Sequence, residues 1–99
     1  MPNREVLEVD PATLHLPGSR RDGADPIKQH RQVTRHGHSI EGMPPIDVSR
    51  GTDGGLVIND GVTRATRAAK YLPGTPVPVE VTGSLPLAVA GLPPVIDRL

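Results

Sequence analysis

The residues with the clearest capacity for chemistry lie in the segment 56–72. There an apolar run leads into Asp60 and Gly61, and a helix-forming sequence follows that carries Arg64 and Arg67. A strand that turns at glycine into a helix presents free backbone N–H groups and the positive end of the helix dipole at one point. Anions bind at such a point. This segment is therefore predicted to hold a phosphate or a carboxylate.

The charges of the segment strengthen that prediction. Arg64 falls in the first turn of the predicted helix, where the helix dipole favours acids over cations. An anion that accepts the backbone N–H groups of the turn, and a bidentate contact from Arg64, would remove this conflict. The predicted phosphate-binding residues are Asp60, Gly61, Val62, Thr63, Arg64 and Arg67.

A simpler interpretation of the same cations stays open. In it, Asp47 or Asp60 pairs with Arg64, and Arg67 and Lys70 are only solvated. Charge and position alone do not distinguish the two interpretations.

Further cations precede this segment. Residues 18–38 hold five Lys and Arg against two Asp, and Arg20 and Arg21 are adjacent in a loop rich in Gly and Pro. With the cations of residues 64–70 they are predicted to form one basic face, suited to a nucleotide or to a nucleic acid backbone. The net charge of +0 favours the compact phosphate ligand, because non-specific DNA binding needs a cationic footprint. The cations of the earlier stretch are Arg20, Arg21, Lys28, Arg31 and Arg35.

Three histidines lie close together in the sequence, at His30, His36 and His38. Positions six and eight apart on a helix do not share a face as positions four apart do, and no acid at the four-residue spacing completes a site. These residues are interpreted as surface histidines, and no metal site is predicted. For Ser39, beside the last of them, the sequence reveals no acid positioned for catalysis.

Strands are predicted at residues 5–9, 46–49, 56–59 and 77–81, from alternating or continuous apolar runs bounded by turn residues. The second and third are joined by a Gly-rich loop and form a predicted hairpin. The last contains prolines, which cannot donate to a ladder of hydrogen bonds, so it is predicted at a sheet edge.

Two helices are predicted. The first begins after Asp25, a favourable N-cap, with Pro26 at its first position, and stops at Gly37. Its apolar stripe, Ile27 and Val33, is thin, so the helix is expected on the surface. The second helix covers residues 62–72, and its predicted buried residues are Val62, Ala65, Ala68, Ala69 and Leu72.

These elements predict an α/β (α+β) fold in which a small mixed β-sheet is flanked by two helices. Residues 1–83 are predicted to form the domain, and residues 84–99 an apolar C-terminal tail that docks on it or serves a homodimer or a protein partner.

Composition excludes several classes of function. The 99 residues contain no cysteine, so disulfides, thiolate catalysis and Cys-ligated zinc are ruled out. Tyr71 is the only aromatic residue, which disfavours a single-strand binder that stacks bases. No apolar leader opens the sequence and no apolar run approaches the roughly 18 residues of a membrane span. A cytoplasmic protein without membrane contact is predicted.

The order of these motifs resembles a known family, the ParB N-terminal domain of the ParB/sulfiredoxin superfamily. In that family a helix ending in Ser-Ile precedes a Pro-Ile-Val strand, and a second strand enters a Gly-x-x-Arg turn and helix. The similarity runs in order over residues 6–81. The residues that carry it are Ser39-Ile40, Pro44-Pro45-Ile46-Asp47-Val48, Leu56-Val57-Ile58-Asn59-Asp60-Gly61, Thr63-Arg64-Ala65, Ala68-Ala69 and Val77-Pro78-Val79-Glu80-Val81.

The resemblance implies a domain that holds nucleotide phosphates at this turn. The ligand is CTP in ParB proteins and ATP in sulfiredoxins, so a nucleoside triphosphate with magnesium is the implied cofactor. Gly61 would allow close backbone approach, Thr63 would donate its hydroxyl, and Arg64 would grip a phosphate. Arg67 is one position from the last arginine of the family motif. Arg20 and Arg21 resemble the arginine that ParB proteins place after their first strand.

The sequence also departs from the family. Sulfiredoxins have Cys-His before the motif arginine, where this chain has Val62-Thr63, so sulfinic acid reduction is not expected. ParB proteins continue into a helix-turn-helix region, so site-specific DNA partitioning is not expected of these 99 residues alone. One branch of the family phosphorylates serine with a catalytic glutamate, and Glu41 is the acid at the corresponding connector.

Three functions follow as hypotheses. The first is a ParB-like domain that binds a nucleotide or another phosphate ligand. The second is a non-catalytic interaction or DNA-associated module with a vestigial pocket. The third is a ParB-like nuclease, for which the sequence offers no convincing metal-ligand set.

Overall fold

The computed structural model describes residues 4–37 and 40–99. The predicted His38 and Ser39 lie outside the described residues, as does the side chain of His36. The described chain forms a four-stranded mixed sheet and two helices, as predicted. Its elements are β1 (Glu5–Val9), α1 (Pro26–His36), β2 (Ile46–Arg50), β3 (Leu56–Asp60), α2 (Val62–Tyr71) and β4 (Val77–Ser84), with short 3-10 turns at Pro11–Thr13, Gly18–Arg20 and Val95–Arg98.

The strand order is β1-β4-β2-β3. β4 pairs with β1 in antiparallel and with β2 in parallel orientation, and β2 and β3 form the predicted antiparallel hairpin. The prediction that β4 is an edge strand is wrong, because β4 lies between β1 and β2. Pro78 is the second residue of β4, and the register with β2 begins only at Val79. A strand tolerates a residue without an N–H near its start.

The core is built from aliphatic side chains of three strands and from alanines of α2. Leu14, Leu16 and Val95 complete it from outside the sheet and helices. Because alanine is small, α2 can lie close to the neighbouring elements. The buried members are Leu14, Leu16, Ile46, Val48, Ile58, Ala65, Ala68, Ala69, Val77, Val79 and Val95.

α1 lies at the surface and packs on α2, as its thin apolar stripe predicted. Its N-terminus is capped as predicted, since the Asp25 side chain accepts a hydrogen bond from Ile27 N at 2.9 Å. Ile27 was predicted to belong to the packed stripe, and this is wrong, because 64% of its surface is exposed. Ile27 stands in the first turn of α1.

The extended residues 14–16 join β3 to the C-terminal tail. On one side His15 N donates to Leu56 O and Ile58 N donates to His15 O, both at 2.9 Å. On the other side Leu16 N donates to Pro93 O, and Leu14 O accepts a hydrogen bond from Val95 N of the tail. These residues act as a short extra strand between the hairpin and the tail.

The tail 84–99 lies on the body of the domain. Val89 and Val95 are buried, and the Asp53 carboxylate accepts the N–H groups of Val89 and Ala90 at 3.2 and 3.1 Å. The Val89 N–H, with those of Gly55 and Ala90, lowers the pKa of the Asp53 carboxyl. Other apolar residues of the tail stay exposed, among them Leu85, Leu87, Ile96 and Leu99.

Among the helices of residues 4–37 and 40–99, none has the length and apolarity needed to cross a bilayer.

Candidate functional site

The turn between β3 and α2 is built by Gly61. Its φ of 111° lies in the left-handed region that favours glycine. The first hydrogen bond of the helix runs from Ala65 N to Gly61 O at 2.9 Å. No side chain caps this end of the helix, and its first turn contains no acid. The first N–H groups of α2 therefore lack the side-chain acceptor that Asp25 supplies to α1.

A cleft of about 490 Å³ opens at this end of α2. Three cations from three separate elements line it: Arg20 from a 3-10 turn, Lys28 from α1 and Arg64 from α2. Asp60 is the one carboxylate among the described lining residues. The lining thus has an excess of positive charge at the end of a helix whose dipole is also positive. The remaining lining residues are Pro17, Ser19, Gln32, Ile58, Asn59, Gly61, Val62 and Thr63.

Arg64 lies over the turn rather than in open solvent. Its side chain is 18% exposed, Nη1 donates to Pro44 O at 3.2 Å, and Nη2 lies 3.7 Å from Asp60 Oδ2. The simpler interpretation is thus right in part, since Asp60 is the acid nearest to Arg64. The Asp60 side chain is 86% exposed, and such a pair contributes little in water.

A polar cluster fixes the end of β3 directly before the turn. Asn59 Nδ2 donates to Asp47 Oδ1 and to Ser49 Oγ, both at 2.9 Å. Thr82 Oγ1 donates to the same Asp47 oxygen at 2.5 Å. The Thr82 hydroxyl, and after it the Asn59 amide, lowers the pKa of the Asp47 carboxyl. The charge of Arg64 lowers the same pKa further, but within the described residues no hydrogen bond or ion pair joins Arg64 to Asp47.

Arg67 does not line the cleft. It is 2% exposed, so the interpretation that it is only solvated is wrong. It lines a neighbouring cavity together with Arg64 and Glu41. Burial, and after it the charge of Arg64, lowers the pKa of the Arg67 guanidinium. Lys70, in contrast, is exposed as that interpretation expects, with Nζ 5.6 Å from the centre of the Tyr71 ring.

The other predicted residues lie apart from the cleft. Arg21 lines a separate surface depression formed by residues 18–26, and its carbonyl oxygen accepts a hydrogen bond from Arg98 Nε at 2.8 Å. Glu41 is exposed and lines the cavity of Arg67 rather than the cleft. His30 is exposed on α1. Within the described ranges, His, Cys, Asp and Glu form no group of three that could hold a metal ion.

Several lining residues were missing from the predicted site, among them two from α1, Lys28 and Gln32. Lys28 appeared in the sequence only as one of several cations on α1. The four-residue spacing of Lys28 and Gln32 places both on one face of the helix. This spacing is the sequence signal that could have identified them. Which face of α1 meets the turn of α2 depends on the packing of the two helices.

The Gly61→Ala variant is expected to lose about 1–3 kcal/mol of unfolding free energy, because an L residue at this φ is strained. Its Cβ would also lie 2.8 Å from Arg64 Nη2, so Arg64 must move. Urea denaturation measures the loss. Gly18→Ala is the control, since its Cβ meets no atom within 4 Å. Equal stability of the two variants would contradict this account of the turn.

The chain matches no protein-family model, and no curated protein is significantly similar to it in sequence.

Proposed function

We propose that this chain is a ParB-like domain that binds the phosphate groups of a nucleotide in the cleft at the N-terminus of α2. The observation that carries the proposal is the convergence of Arg20, Lys28 and Arg64 on an uncapped helix end. Arg64 is far from the other two in the sequence, and a helix N-terminus with nearby cations is a favourable place for a phosphate.

Each part of the cleft has a role in this proposal. The first N–H groups of α2 donate to phosphate oxygens, and Gly61 lets the ligand approach the backbone closely. Arg64 supplies a planar, bidentate donor and Lys28 a mobile point charge. Ser19 and Thr63 bring hydroxyl donors to the same cleft.

Magnesium fits this cleft only as a companion of the phosphates. Asp60 is the single carboxylate among its described lining residues, and Mg²⁺ is commonly held by one or two carboxylates together with substrate phosphates. When bound, the ion would offset the charge of the phosphate chain. No aromatic side chain lines the cleft in the described chain, so the proposal includes no stacking of the base.

The test is a calorimetric titration of the protein with CTP, ATP, GTP, UTP and inorganic pyrophosphate, with and without magnesium. At least one triphosphate is expected to bind. The Lys28→Ala and Arg64→Ala variants should each weaken that binding by about 2 kcal/mol, roughly 30-fold, as expected for a lost charge-assisted contact. Lys28 is exposed, so its variant should keep its thermal stability.

Arg31→Ala is the matched control. Arg31 is an exposed cation on the same helix as Lys28, and it is outside the lining of the cleft. The control should lose less than threefold in affinity. A folded protein that binds none of the five compounds would contradict the proposed function, and so would equal losses in the Lys28 and Arg31 variants.

Association with nucleic acid is the second candidate. Lys28, Arg31 and Arg35 form an exposed row on α1 that lines a depression beside the cleft, and such a row suits a phosphate backbone. Binding of this kind would fall similarly in all three single alanine variants and would weaken steeply with salt. Of these three variants, only Lys28→Ala would weaken binding that is confined to the cleft.

A further inference from the structure

A second cavity lies on the other side of Arg64 from the proposed phosphate cleft. It has a volume of about 600 Å³ and lies between α1, the connector 41–44 and α2. Arg64 and Gln32 line both the cleft and this cavity, whereas Arg67 and Glu41 line the cavity alone. The proposed function leaves this space and the buried Arg67 without a role.

Arg67 is the unusual group of the cavity. It is 2% exposed, and its nitrogens make only weak contacts: Nη1 lies 3.5 Å from Gly37 O and Nη2 lies 3.5 Å from Met43 Sδ. Its Nε is buried and has no hydrogen-bond acceptor among the described residues. No ion pair joins Arg67 to an acid within residues 4–37 and 40–99. A buried cation without a counter-charge is costly, and natural proteins pair such groups.

The lining of the cavity indicates the charge of the missing partner. Arg64, Arg67 and Glu41 are the charged residues of the described lining. Arg64 already has Asp60 at 3.7 Å, so Arg67 is the cation that lacks an ion pair among the described residues. A single negative charge supplies the counter-charge of Arg67, whereas a doubly charged phosphate would be repelled more strongly by Glu41.

The shape and polarity of the lining indicate the chemical class. A guanidinium matches a carboxylate through two parallel hydrogen bonds. Met43 and Pro44 contribute apolar surface to the same cavity, which suits a short alkyl group beside the acid.

We propose that this cavity is a binding site for a small monocarboxylate, whose oxygens accept hydrogen bonds from the guanidinium of Arg67. The ligand supplies the counter-charge that the buried cation lacks, and its alkyl group lies against Met43 and Pro44. Arg64 and Gln32 line both spaces, but Arg67, the main contact of the carboxylate, does not line the phosphate cleft. The proposal is therefore tested on Arg67 and does not rest on the proposed function.

Gln32 is the second polar group of the site. Its Oε1 is buried without a donor among the described residues. A half-turn of the amide exchanges Oε1 for the NH₂ group, a change that side-chain amides allow at almost no cost in shape. The amide then donates to a bound carboxylate.

The experiment is a ¹H–¹⁵N titration of the arginine Nε–H resonances of the protein with propionate. The resonance of Arg67 is assigned by its absence in Arg67→Gln. It is expected to move in a saturable way, with a Kd on the order of millimolar for so small a ligand. Propionamide, which has the same shape and no charge, should produce no saturable shift. Where Arg67→Gln is unstable, Arg67→Lys, which also lacks an arginine Nε–H, gives the same assignment.

Variants make the test specific. Arg67→Lys keeps the charge but not the bidentate geometry, and it should weaken propionate at least tenfold, as followed by backbone amide shifts of residues 41–43. Lys70→Gln removes an exposed cation from the same helix and should leave propionate binding unchanged.

Three results would overturn the proposal. The first is no saturable shift of the Arg67 Nε–H at 100 mM propionate. The second is an equal response to propionate and propionamide. The third is complete displacement of propionate by pyrophosphate, which would place both anions in the cleft. Pyrophosphate binding with no response to propionate would leave the proposed function standing and reject this site alone.

Discussion

The Leu16→Ala variant is expected to lose about 2–5 kcal/mol of unfolding free energy. Leu16 is fully buried, with 0% of its surface exposed, and it belongs to the core cluster. Removing its isobutyl group forfeits the burial of apolar surface and leaves a cavity that the surrounding side chains fill only in part. Urea denaturation followed by circular dichroism measures the change.

The consequence for this protein is large. Domains of this size are commonly stable by about 5–15 kcal/mol, and the absence of cysteine means that no disulfide supports the fold. The control is Leu87→Ala, since Leu87 is 69% exposed and should change stability by no more than about 0.5 kcal/mol. Similar losses in the two variants would show that the placement of Leu16 is wrong.

Leu16 also matters because of its neighbours in the chain. Residues 14–16 bind β3 on one side and the tail on the other through backbone hydrogen bonds. β3 ends at Asp60, directly before the turn that opens the cleft. Packing at Leu16 therefore supports the strand from which the proposed site is built.

Gly55→Ala is the second substitution with a large expected effect. An alanine Cβ at this position would lie 2.4 Å from Val89 Cγ2 and 3.4 Å from Asp53 Oδ1. Val89 is 1% exposed, and its N–H is held by the Asp53 carboxylate. The valine cannot move aside without losing packing or this hydrogen bond, so the variant should lose about 1–3 kcal/mol of unfolding free energy.

A double-mutant cycle with Val89→Ala isolates this contact. Shortening Val89 removes the methyl groups that the new Cβ would meet, so Gly55→Ala should cost clearly less in that background. Thermal and urea unfolding of the four proteins give the coupling energy. Gly91→Ala, in the same tail, should be nearly neutral because its Cβ meets no atom within 4 Å. If Gly55→Ala lowers the unfolding free energy equally in the wild-type and Val89→Ala backgrounds, the packing of the tail described above is wrong.

The C-terminal tail therefore has a structural role within the domain. Val95 completes the core and Val89 packs on the two glycines that flank the hairpin loop, Gly51 and Gly55. The glycines serve here by their lack of a side chain, since a Cβ at either position would come within 2.7 Å of Val89. The apolar residues that remain exposed, such as Leu87 and Ile96, are the part of the tail that a partner would meet.

The sequence predicted the helices, strands and turns of this fold where interactions between neighbouring residues determine them. Asp25 and Pro26 fix the start of α1 because a cap and a preset φ act within one turn. Gly61 marks the turn into α2 because its backbone conformation excludes other residues. The hairpin of β2 and β3 follows from apolar runs on both sides of a Gly-rich loop. Each signal involves residues that are neighbours along the chain.

Only the tertiary structure decided how these elements meet. Pro78 of β4 indicated an edge strand, but strand order depends on pairing between distant segments, and β4 lies inside the sheet. Packing between distant segments also decided where the two arginines of α2 lie. Arg64 reached the turn as predicted, whereas Arg67, three residues on, is turned into the packing between α2 and the connector and is buried.

In the candidate site, too, some residues were determined by the local sequence and others by the packing of distant elements. Its backbone turn and Arg64 come from one continuous segment, and the sequence by itself determined them. Arg20 and Lys28 reach the cleft only because α1 and the preceding turn pack beside α2. Sequence patterns report the conformation of neighbouring residues, whereas the approach of distant cations to one helix end is set by the packing of the whole core.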